Sequence, residues 1–332
     1  MEPLLSVKNL RVEIPVGTGM LKPVRGISFD LQKGETLCIV GESGCGKSLT
    51  SLALMGLLPK VARRSGDHLR FAGQDLLGLK ERQMAKLRGQ DMSMIFQEPM
   101  TSLNPAYTIG DQLTEGMIRH QRVSRAEARD RAAFLLEKVG ITAAASRLTQ
   151  YPHQLSGGLR QRVMIAMSLM CGPDLIIADE PTTALDVTIQ AKILRMMKNL
   201  QAEFGMAMIF ITHDLGVVAR IADKIAVMYA GAFVETGTAQ QIFDAPTHPY
   251  TKGLLSCIPV PGKTERGARL GAVPGVVPSL INGVEGCGFA SRCPMRQAAC
   301  GSEPDLTDRG AEHSCRCVHD TDTLRNMEWE AA

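Results

Sequence analysis

The sequence feature that most constrains the fold of this chain is a glycine-rich stretch, GESGCGKS, at residues 41–48. It follows a short apolar run at 36–40, which is typical of a strand buried on both faces. A helix is predicted directly after it, from Ser48 to Leu58, before Pro59. The pattern Gly-x4-Gly-Lys-Ser in that setting predicts a P-loop, with a chance glycine-rich turn as the alternative.

The chemistry of a P-loop accounts for each residue type in this stretch. Glycines let successive backbone N–H groups point at phosphate oxygens, and the dipole of the following helix adds positive charge. We expect Lys47 to reach the β- and γ-phosphates and the Ser48 hydroxyl to ligate Mg²⁺. The residues predicted to contact the nucleotide are Gly41, Glu42, Ser43, Gly44, Cys45, Gly46, Lys47, Ser48 and Leu49.

A second buried apolar run, at 175–178, ends in two acids, Asp179 and Glu180. An aspartate at the end of a strand beside a P-loop can hold Mg²⁺ through water. A carboxylate at the next position can polarise the water that attacks the γ-phosphate, so Glu180 is the predicted general base. The alternative for Glu180 is an ordinary solvated acid in a loop.

The wider pattern predicts an α/β fold with a mainly parallel sheet. Further buried strands are predicted at 92–96 and 206–212, and the sequence between 102 and 170 is helical in its periodicity. With 332 residues, about two domains are expected.

A formal net charge of +3 gives no reason to expect a nucleic-acid partner. The apolar runs fall well short of the roughly 20 residues that a membrane span needs.

The segment LSGGLRQR at 155–162 resembles the signature loop of ABC-transporter ATPases, and the other motifs of that family follow in order. Gln97 stands at the position of the Q-loop glutamine, Asp186 at that of the D-loop aspartate and His213 at that of the H-loop histidine. The resemblance implies a P-loop NTPase of ABC type that hydrolyses ATP. It also implies an antiparallel β subdomain and a helical insert at about 102–170.

The resemblance assigns a role to each of these residues. Gln97 would sense the γ-phosphate, Mg²⁺ and the membrane subunit, and His213 would contact the γ-phosphate. Asp186 would link the two nucleotide sites of a head-to-tail dimer. The signature residues that would close over the partner's nucleotide are Ser156, Gly157 and Gly158. For His213, a structural histidine at a strand end is the alternative.

Four further stretches resemble the oligopeptide and dipeptide importers: FQEPMTSLNP at 96–105, YPHQ at 151–154, ADEPTTALDVT at 178–188 and HPYT at 248–251. The resemblance implies a domain division into an ABC ATPase at 1–258 and a C-terminal extension at 259–332.

The same resemblance implies partners: a second ATPase subunit, two membrane-spanning permease subunits and, indirectly, a periplasmic peptide-binding protein. The chain would then lie at the cytoplasmic face of the inner membrane. An importer of nickel, glutathione or antimicrobial peptides, or a soluble ABC ATPase, is the alternative.

One feature of the family is missing from the early strands. ABC ATPases usually stack adenine on an aromatic residue there, whereas residues 1–28 contain no Phe, Tyr or Trp, and Ile14 lies roughly where one is expected. An aliphatic side chain has no aromatic face for stacking. We therefore expect weaker selectivity between nucleotides.

Five of the nine cysteines lie close together near the end of the chain, at 287, 293, 300, 315 and 317. In a reducing compartment such a group favours metal binding over disulfides. Four thiolates suit zinc or an iron–sulfur cluster, and the wide, irregular spacing favours the cluster; zinc and free thiols are the alternatives. Peptide-importer ATPases resemble this pattern, and some carry a [4Fe-4S] cluster. The resemblance selects Cys287, Cys293, Cys300 and Cys317 as ligands, with Cys315 as the alternative to Cys317.

Overall fold

The computed structural model describes residues 2–98, 102–182, 186–258 and 272–327, together with Trp329. Residues 99–101 of the predicted Q-loop stretch, 183–185 of the predicted D-loop and 259–271 of the predicted linker lie outside the described residues. The chain divides into two compact units that alternate along the sequence. The first consists of Met1–Leu4, Leu31–Thr36 and Gly78–Ile211; the second consists of Leu5–Asp30, Leu37–Leu77 and Thr212–Ala332.

The elements are numbered here in chain order. The strands are β1 (Leu5–Val16), β2 (Gly19–Leu31), β3 (Thr36–Val40), β4 (Arg63–Ser65), β5 (His68–Phe71), β6 (Gln74–Asp75), β7 (Met92–Ile95), β8 (Leu175–Asp179), β9 (Ala207–Thr212), β10 (Lys224–Tyr229), β11 (Ala232–Thr238), β12 (Thr307–Asp308) and β13 (Ser314–Cys315). The helices are α1 (Lys47–Met55), α2 (Glu81–Leu87), α3 (Ile109–Gln121), α4 (Arg125–Lys138), α5 (Ala144–Arg147), α6 (Gly157–Ser168), α7 (Val187–Phe204), α8 (Leu215–Ile221), α9 (Ala239–Asp244), α10 (Pro249–Ser256) and α11 (Thr321–Asn326).

The first unit contains the predicted buried strands and the helical insert. Strands β7, β8 and β9 pair in parallel, with Ile95 opposite Ala178 and Asp179 opposite Ile211. Every residue of β8 and β9 is buried, which explains why both read as continuous apolar runs rather than alternating ones. Helices α3 and α4 begin at the caps Thr108 and Ser124, whose hydroxyls accept hydrogen bonds from backbone N–H groups in the first turn.

The second unit contains the P-loop and an antiparallel sheet. Strand β3 pairs in parallel with β10, which pairs antiparallel with β11. The order of the antiparallel sheet is β2-β1-β5-β6, with β4 beside β1. Helix α1 ends at Met55, three residues before the predicted end at Leu58. Gly56 ends it with a left-handed φ of 63°, a conformation that glycine adopts without steric cost.

The described part of the C-terminal extension packs within the second unit. Strand β13 pairs with β11, which places Cys315 opposite Glu235. The backbone N–H of Met20 donates to the Asn282 side chain over 3.0 Å, so the extension also contacts β2. The predicted boundary at 258/259 adjoins residues outside the described range and stays a prediction. None of the helices in the described part of the chain is both long enough and apolar enough to span a membrane.

Candidate nucleotide-binding site

The P-loop runs from buried strand β3 to α1, as the sequence predicts. Two of its glycines are required by close backbone approach. A Cβ at Gly41 would lie 2.1 Å from the carbonyl oxygen of Met228, and one at Gly46 would lie 2.0 Å from that of Pro23. Both distances are far shorter than real Cβ contacts, so only glycine fits.

Lys47 is 4% exposed, and its ammonium group lies against the loop itself. Nζ donates to the carbonyl oxygens of Gly41 and Glu42 over 2.8 and 2.9 Å. Cys45 is fully buried beside it, and burial raises the pKa of its thiol although Lys47 opposes that shift. The lysine is therefore held at the loop, where a phosphate group can replace the two carbonyl contacts.

Glu180, the second of the two acids at the end of β8, contacts the predicted Q-loop glutamine. Gln97 Nε2 donates to Glu180 Oε2 over 3.2 Å, and the Glu180 N–H donates to the Ile211 carbonyl over 2.9 Å. Glu180 has a φ of 46°, which is uncommon for a residue other than glycine. Asp179 is 5% exposed and Glu180 is 8% exposed. A strained, buried acid with an amide partner is typical of a functional position.

The remaining motifs lie at the ends of secondary-structure elements. His213 follows β9 and is exposed. Ser156 is the N-terminal cap position of α6, and its side chain makes no capping hydrogen bond. Asp186 caps α7, and its Oδ1 accepts from the Ile189 N–H over 2.9 Å. Ile14, at the predicted adenine position, is half-buried on β1, and its effect on nucleotide selectivity stays a prediction.

The signature residues Ser156, Gly157 and Gly158 begin α6, and the first two are exposed. A Cβ at Gly158 would make only ordinary contact with Ile189, at 3.8 Å. Packing within this chain therefore does not require glycine at 158. An exposed helix start with small side chains suits an anion held from outside the chain.

The iron–sulfur prediction is not confirmed. Within the described residues, no group of three or more His, Cys, Asp or Glu side chains is arranged to hold a metal ion. The thiols nevertheless lie within electrostatic reach of one another: burial raises the pKa of Cys293 to about 11, and Cys317, Cys287 and Cys300 add to that shift.

Cys315 differs from the four predicted ligands in its surroundings. It is fully buried on β13. Burial raises the pKa of its thiol, and the negative charge of Glu235 raises it further. The Thr247 side chain hydrogen-bonds to it. Cys315 is thus a buried core residue on the strand that pairs with β11.

Sequence reasoning missed two residues that hold the P-loop from outside it. Arg292 pairs with Glu42 at 2.6 Å, and the Tyr250 hydroxyl accepts from the Glu42 N–H over 3.0 Å. The signal for the pair with Arg292 was an acidic residue, Glu42, within a loop expected to bind phosphate. Its partner lies 250 positions away, which no local pattern can indicate.

Comparison with known proteins identifies two family regions. Residues 24–183 match the ABC transporter family, and residues 234–300 match the C-terminal region of oligopeptide/dipeptide transporters. The dipeptide transport ATP-binding protein DppD of Bacillus subtilis is 52% identical, over 96% of this chain and 95% of that protein. The oligopeptide transport ATP-binding protein OppD of the same organism is 52% identical, over 87% of this chain and 81% of its own length.

Solved structures show the same fold. A dimeric ATP-binding cassette in a post-hydrolysis state, bound to ADP and Pi, matches with a TM-score of 0.64 and 26% identity. The match covers 71% of this chain and 98% of that one. CbiO1 of Clostridium perfringens, part of an ABC transporter complex, matches with a TM-score of 0.63 and 26% identity, over 74% and 92% of the two chains. The ABC fold that the motifs predicted is thereby confirmed. The chain belongs to the ABC transporter family, as an ATP-binding subunit of the oligopeptide/dipeptide-transporter branch.

Proposed function

We propose that this chain binds and hydrolyses ATP and so energises the import of dipeptides or oligopeptides through a membrane transporter. The observation that carries the proposal is the contact between Gln97 and Glu180 at the end of a buried strand. It holds a carboxylate where it can polarise an attacking water. The relatives named for dipeptide and oligopeptide transport support the cargo class.

Each predicted site residue has a part in this proposal. The P-loop amides and Lys47 bind the β- and γ-phosphates, and His213 contacts the γ-phosphate. Ser48, Gln97 and Asp179 would hold Mg²⁺ directly or through water, and the bound ion would neutralise charge on the phosphate oxygens. Their hydroxyl, amide and carboxylate oxygens are the donor types that this ion takes. Gln97 contacts Glu180 through its amide nitrogen, so its amide oxygen can still serve as a ligand.

We propose that the chain works as one of two ATPase subunits, whose signature residues close over each other's nucleotide, on two permease subunits. The helical insert offers a surface for the contact with the permease subunits. It carries a cleft of about 860 Å³, and Tyr107, one of the residues that line it, is 56% exposed. The side chains lining the cleft include Asn104, Tyr107, Asp111, Gln112, Glu115, Ile118 and Arg119. An exposed aromatic beside a polar cleft suits a protein partner, here a cytoplasmic segment of a permease.

The experiment measures uptake of a labelled dipeptide by cells from which the gene for this chain has been deleted. We expect the wild type to restore uptake and Lys47→Ala to fail, because the variant loses the charge aimed at the phosphates. Labelled glutathione and nickel are tested in the same strain. Restoration of either of these, without restoration of peptide uptake, would contradict the peptide cargo.

We also propose that Cys287, Cys293, Cys300 and Cys317 hold a [4Fe-4S] cluster. Backbone N–H groups donate to three of the sulfurs, an arrangement that stabilises thiolate ligands. Those of Phe289 and Ala290 contact Cys287, that of Met295 contacts Cys293, and those of Val318 and His319 contact Cys317. A cluster would tie down a segment that has few regular elements.

Anaerobic purification followed by iron and sulfide assays tests this proposal. We expect absorbance at about 400 nm that is lost in Cys317→Ser and kept in Cys315→Ser. Colourless protein with stoichiometric zinc would show a zinc site instead, and colourless protein without metal would show free thiols.

A further inference from the structure

The second residue of the P-loop, Glu42, is acidic although the loop binds a polyanion. Its side chain is 27% exposed. An uncompensated carboxylate at this position would repel the phosphate groups, since charges a few ångströms apart near a protein surface interact strongly. A chain that carries glutamate here therefore needs a compensating cation that stays in place.

Arg292, from the C-terminal extension, supplies that cation. Its two terminal nitrogens donate to the two carboxylate oxygens of Glu42 over 2.6 and 2.9 Å, which is the bidentate geometry of the strongest arginine–carboxylate pairs. The Arg292 side chain is only 4% exposed. Its Nε donates to the Pro274 carbonyl over 2.7 Å, and Nη2 also donates to that of Val273 over 2.8 Å. The guanidinium is thus held in one orientation by the extension itself.

Aromatic rings hold the same guanidinium from the other side. Its carbon lies 5.7 Å from the ring centre of Tyr229 and 6.0 Å from that of Phe289. Tyr250 packs against both rings, and its hydroxyl accepts the Glu42 N–H. The Glu42 carbonyl in turn accepts from Lys47. Glu42 is therefore anchored through its side chain, its N–H and its carbonyl, and the last of these anchors is the phosphate-binding lysine.

We propose that Arg292 is a positioning residue of the nucleotide site. It neutralises Glu42 and holds the P-loop in the form that accepts ATP, so the C-terminal extension sets the affinity of this cassette for nucleotide. The inference rests on the proposed function, in which the P-loop binds ATP. It concerns affinity rather than the chemical step, because Arg292 reaches the nucleotide only through Glu42 and the loop.

The experiment compares four full-length proteins: wild type, Arg292→Gln, Glu42→Gln and the double variant. Glutamine at 292 keeps a hydrogen-bond donor for the extension carbonyls but removes the charge. We expect Arg292→Gln to raise the Kd and the KM for ATP on the order of tenfold with little change in kcat, because Glu42 is left unpaired. The double variant is expected to recover most of the lost affinity, since neither charge remains. Glu42→Gln alone should bind ATP at least as tightly as the wild type.

Recovery in the double variant separates charge compensation from simple support of the fold. If Arg292 only stabilises the extension, the single and double variants will share the same defect, and the proposal is overturned. Glu303→Gln is the matched control, because it breaks another pair of the extension, with Arg25 at 3.1 Å, and leaves Glu42 untouched. It should bind ATP like the wild type, and an equal loss of affinity there would also overturn the proposal.

Two further measurements keep the outcomes distinct. If Arg292→Gln does not fold, as judged by circular dichroism, Glu42→Asp replaces it. The shorter acid keeps its charge but loses the bidentate contact, so it should bind ATP more weakly than Glu42→Gln; equal affinities would contradict the proposal. Wild-type protein that fails to bind ATP would refute the proposed function itself, whereas binding that is insensitive to all these changes refutes only the role of Arg292.

Discussion

At the scale of single residues, hydrogen bonds to neighbouring groups fix the orientation of the predicted site side chains. Lys47 lies against two loop carbonyls, and Glu180 accepts from Gln97. The positive φ of Glu180 costs about 1–2 kcal/mol for a residue with a Cβ. The hydrogen bond from the Glu180 N–H to the Ile211 carbonyl helps to hold that conformation.

We predict that Glu180→Gln will bind ATP normally and lose turnover by at least about 100-fold, because the amide is isosteric but cannot take a proton from water. Nucleotide titration and phosphate release measure the two properties. Glu203→Gln, which removes an exposed acid on α7 that pairs with Lys138, is the control and should hydrolyse ATP like the wild type. Hydrolysis at the wild-type rate in Glu180→Gln would refute the role of general base.

At the scale of elements, the start of α10 contacts β11, which in turn pairs with the C-terminal extension. Nδ1 of His248 accepts from the Tyr250 N–H, and the His248 N–H donates to Glu235. Burial alone would raise the pKa of Glu235. Hydrogen bonds lower it instead, first the one with the His313 side chain and then those from the backbone N–H groups of Thr247 and His248. One buried carboxylate thus connects β11, the α10 cap and the extension.

This cap makes stability depend on pH. Burial lowers the pKa of His248 from an ordinary 6.5 to about 4, although the charge of Glu235 opposes the shift. The unfolded chain therefore takes up this proton as the pH falls through 6.5, while the folded chain resists it until about pH 4. The stability that His248 contributes is complete above pH 6.5 and declines by roughly 3 kcal/mol as the pH falls to 4.

His248→Asn keeps a cap acceptor and removes the titration. We expect its free energy of unfolding in urea to fall less between pH 7 and pH 5 than that of the wild type. His153→Asn, at an exposed histidine, should follow the wild type. Parallel pH profiles for the wild type and His248→Asn would contradict this explanation.

The cleft on the helical insert gives a second prediction at this scale. Tyr107→Ala should weaken co-purification with the permease subunits on the order of tenfold and leave ATP binding unchanged, because central aromatic residues dominate protein interfaces. Phe134→Ala, at an exposed aromatic on α4, is the matched control. Equal recovery of permeases with all three proteins would place the membrane contact elsewhere.

At the scale of the whole molecule, the chain carries a P-loop in one unit and an exposed signature helix start in the other. The proposed dimer gives the exposed signature a role, because each signature completes a site on the partner. Ser156→Arg should therefore leave ATP binding intact and reduce hydrolysis on the order of 100-fold, as expected when donors to a reacting phosphate are displaced.

Ser146→Arg makes the same change at an exposed serine of α5 and should hydrolyse ATP normally. Nucleotide binding and phosphate release are measured with the partner ATPase present. Loss of ATP binding in Ser156→Arg would show that the signature serves its own chain's nucleotide, which would contradict the dimer proposed above.

Local patterns in the sequence were sufficient for the buried parallel strands and for the order of the motifs. Continuous apolar runs predicted β3, β8 and β9, because parallel strands are buried on both faces. The glycine and lysine spacing predicted the P-loop, because few backbones can surround a phosphate. The end of α1 was wrong by three residues, since Gly56 ends the helix before Pro59 can.

By itself, then, the sequence determined the fold class and the order of the motifs, and it predicts which residues face phosphate, because all of these depend on spacing along the chain. Only the tertiary structure decided which distant residues support them. The pairing of Glu42 with Arg292 and the burial of Cys315 on the strand beside β11 depend on contacts between segments far apart in sequence. Such contacts follow from packing and from the need to compensate buried charge, and neither leaves a local pattern in the chain.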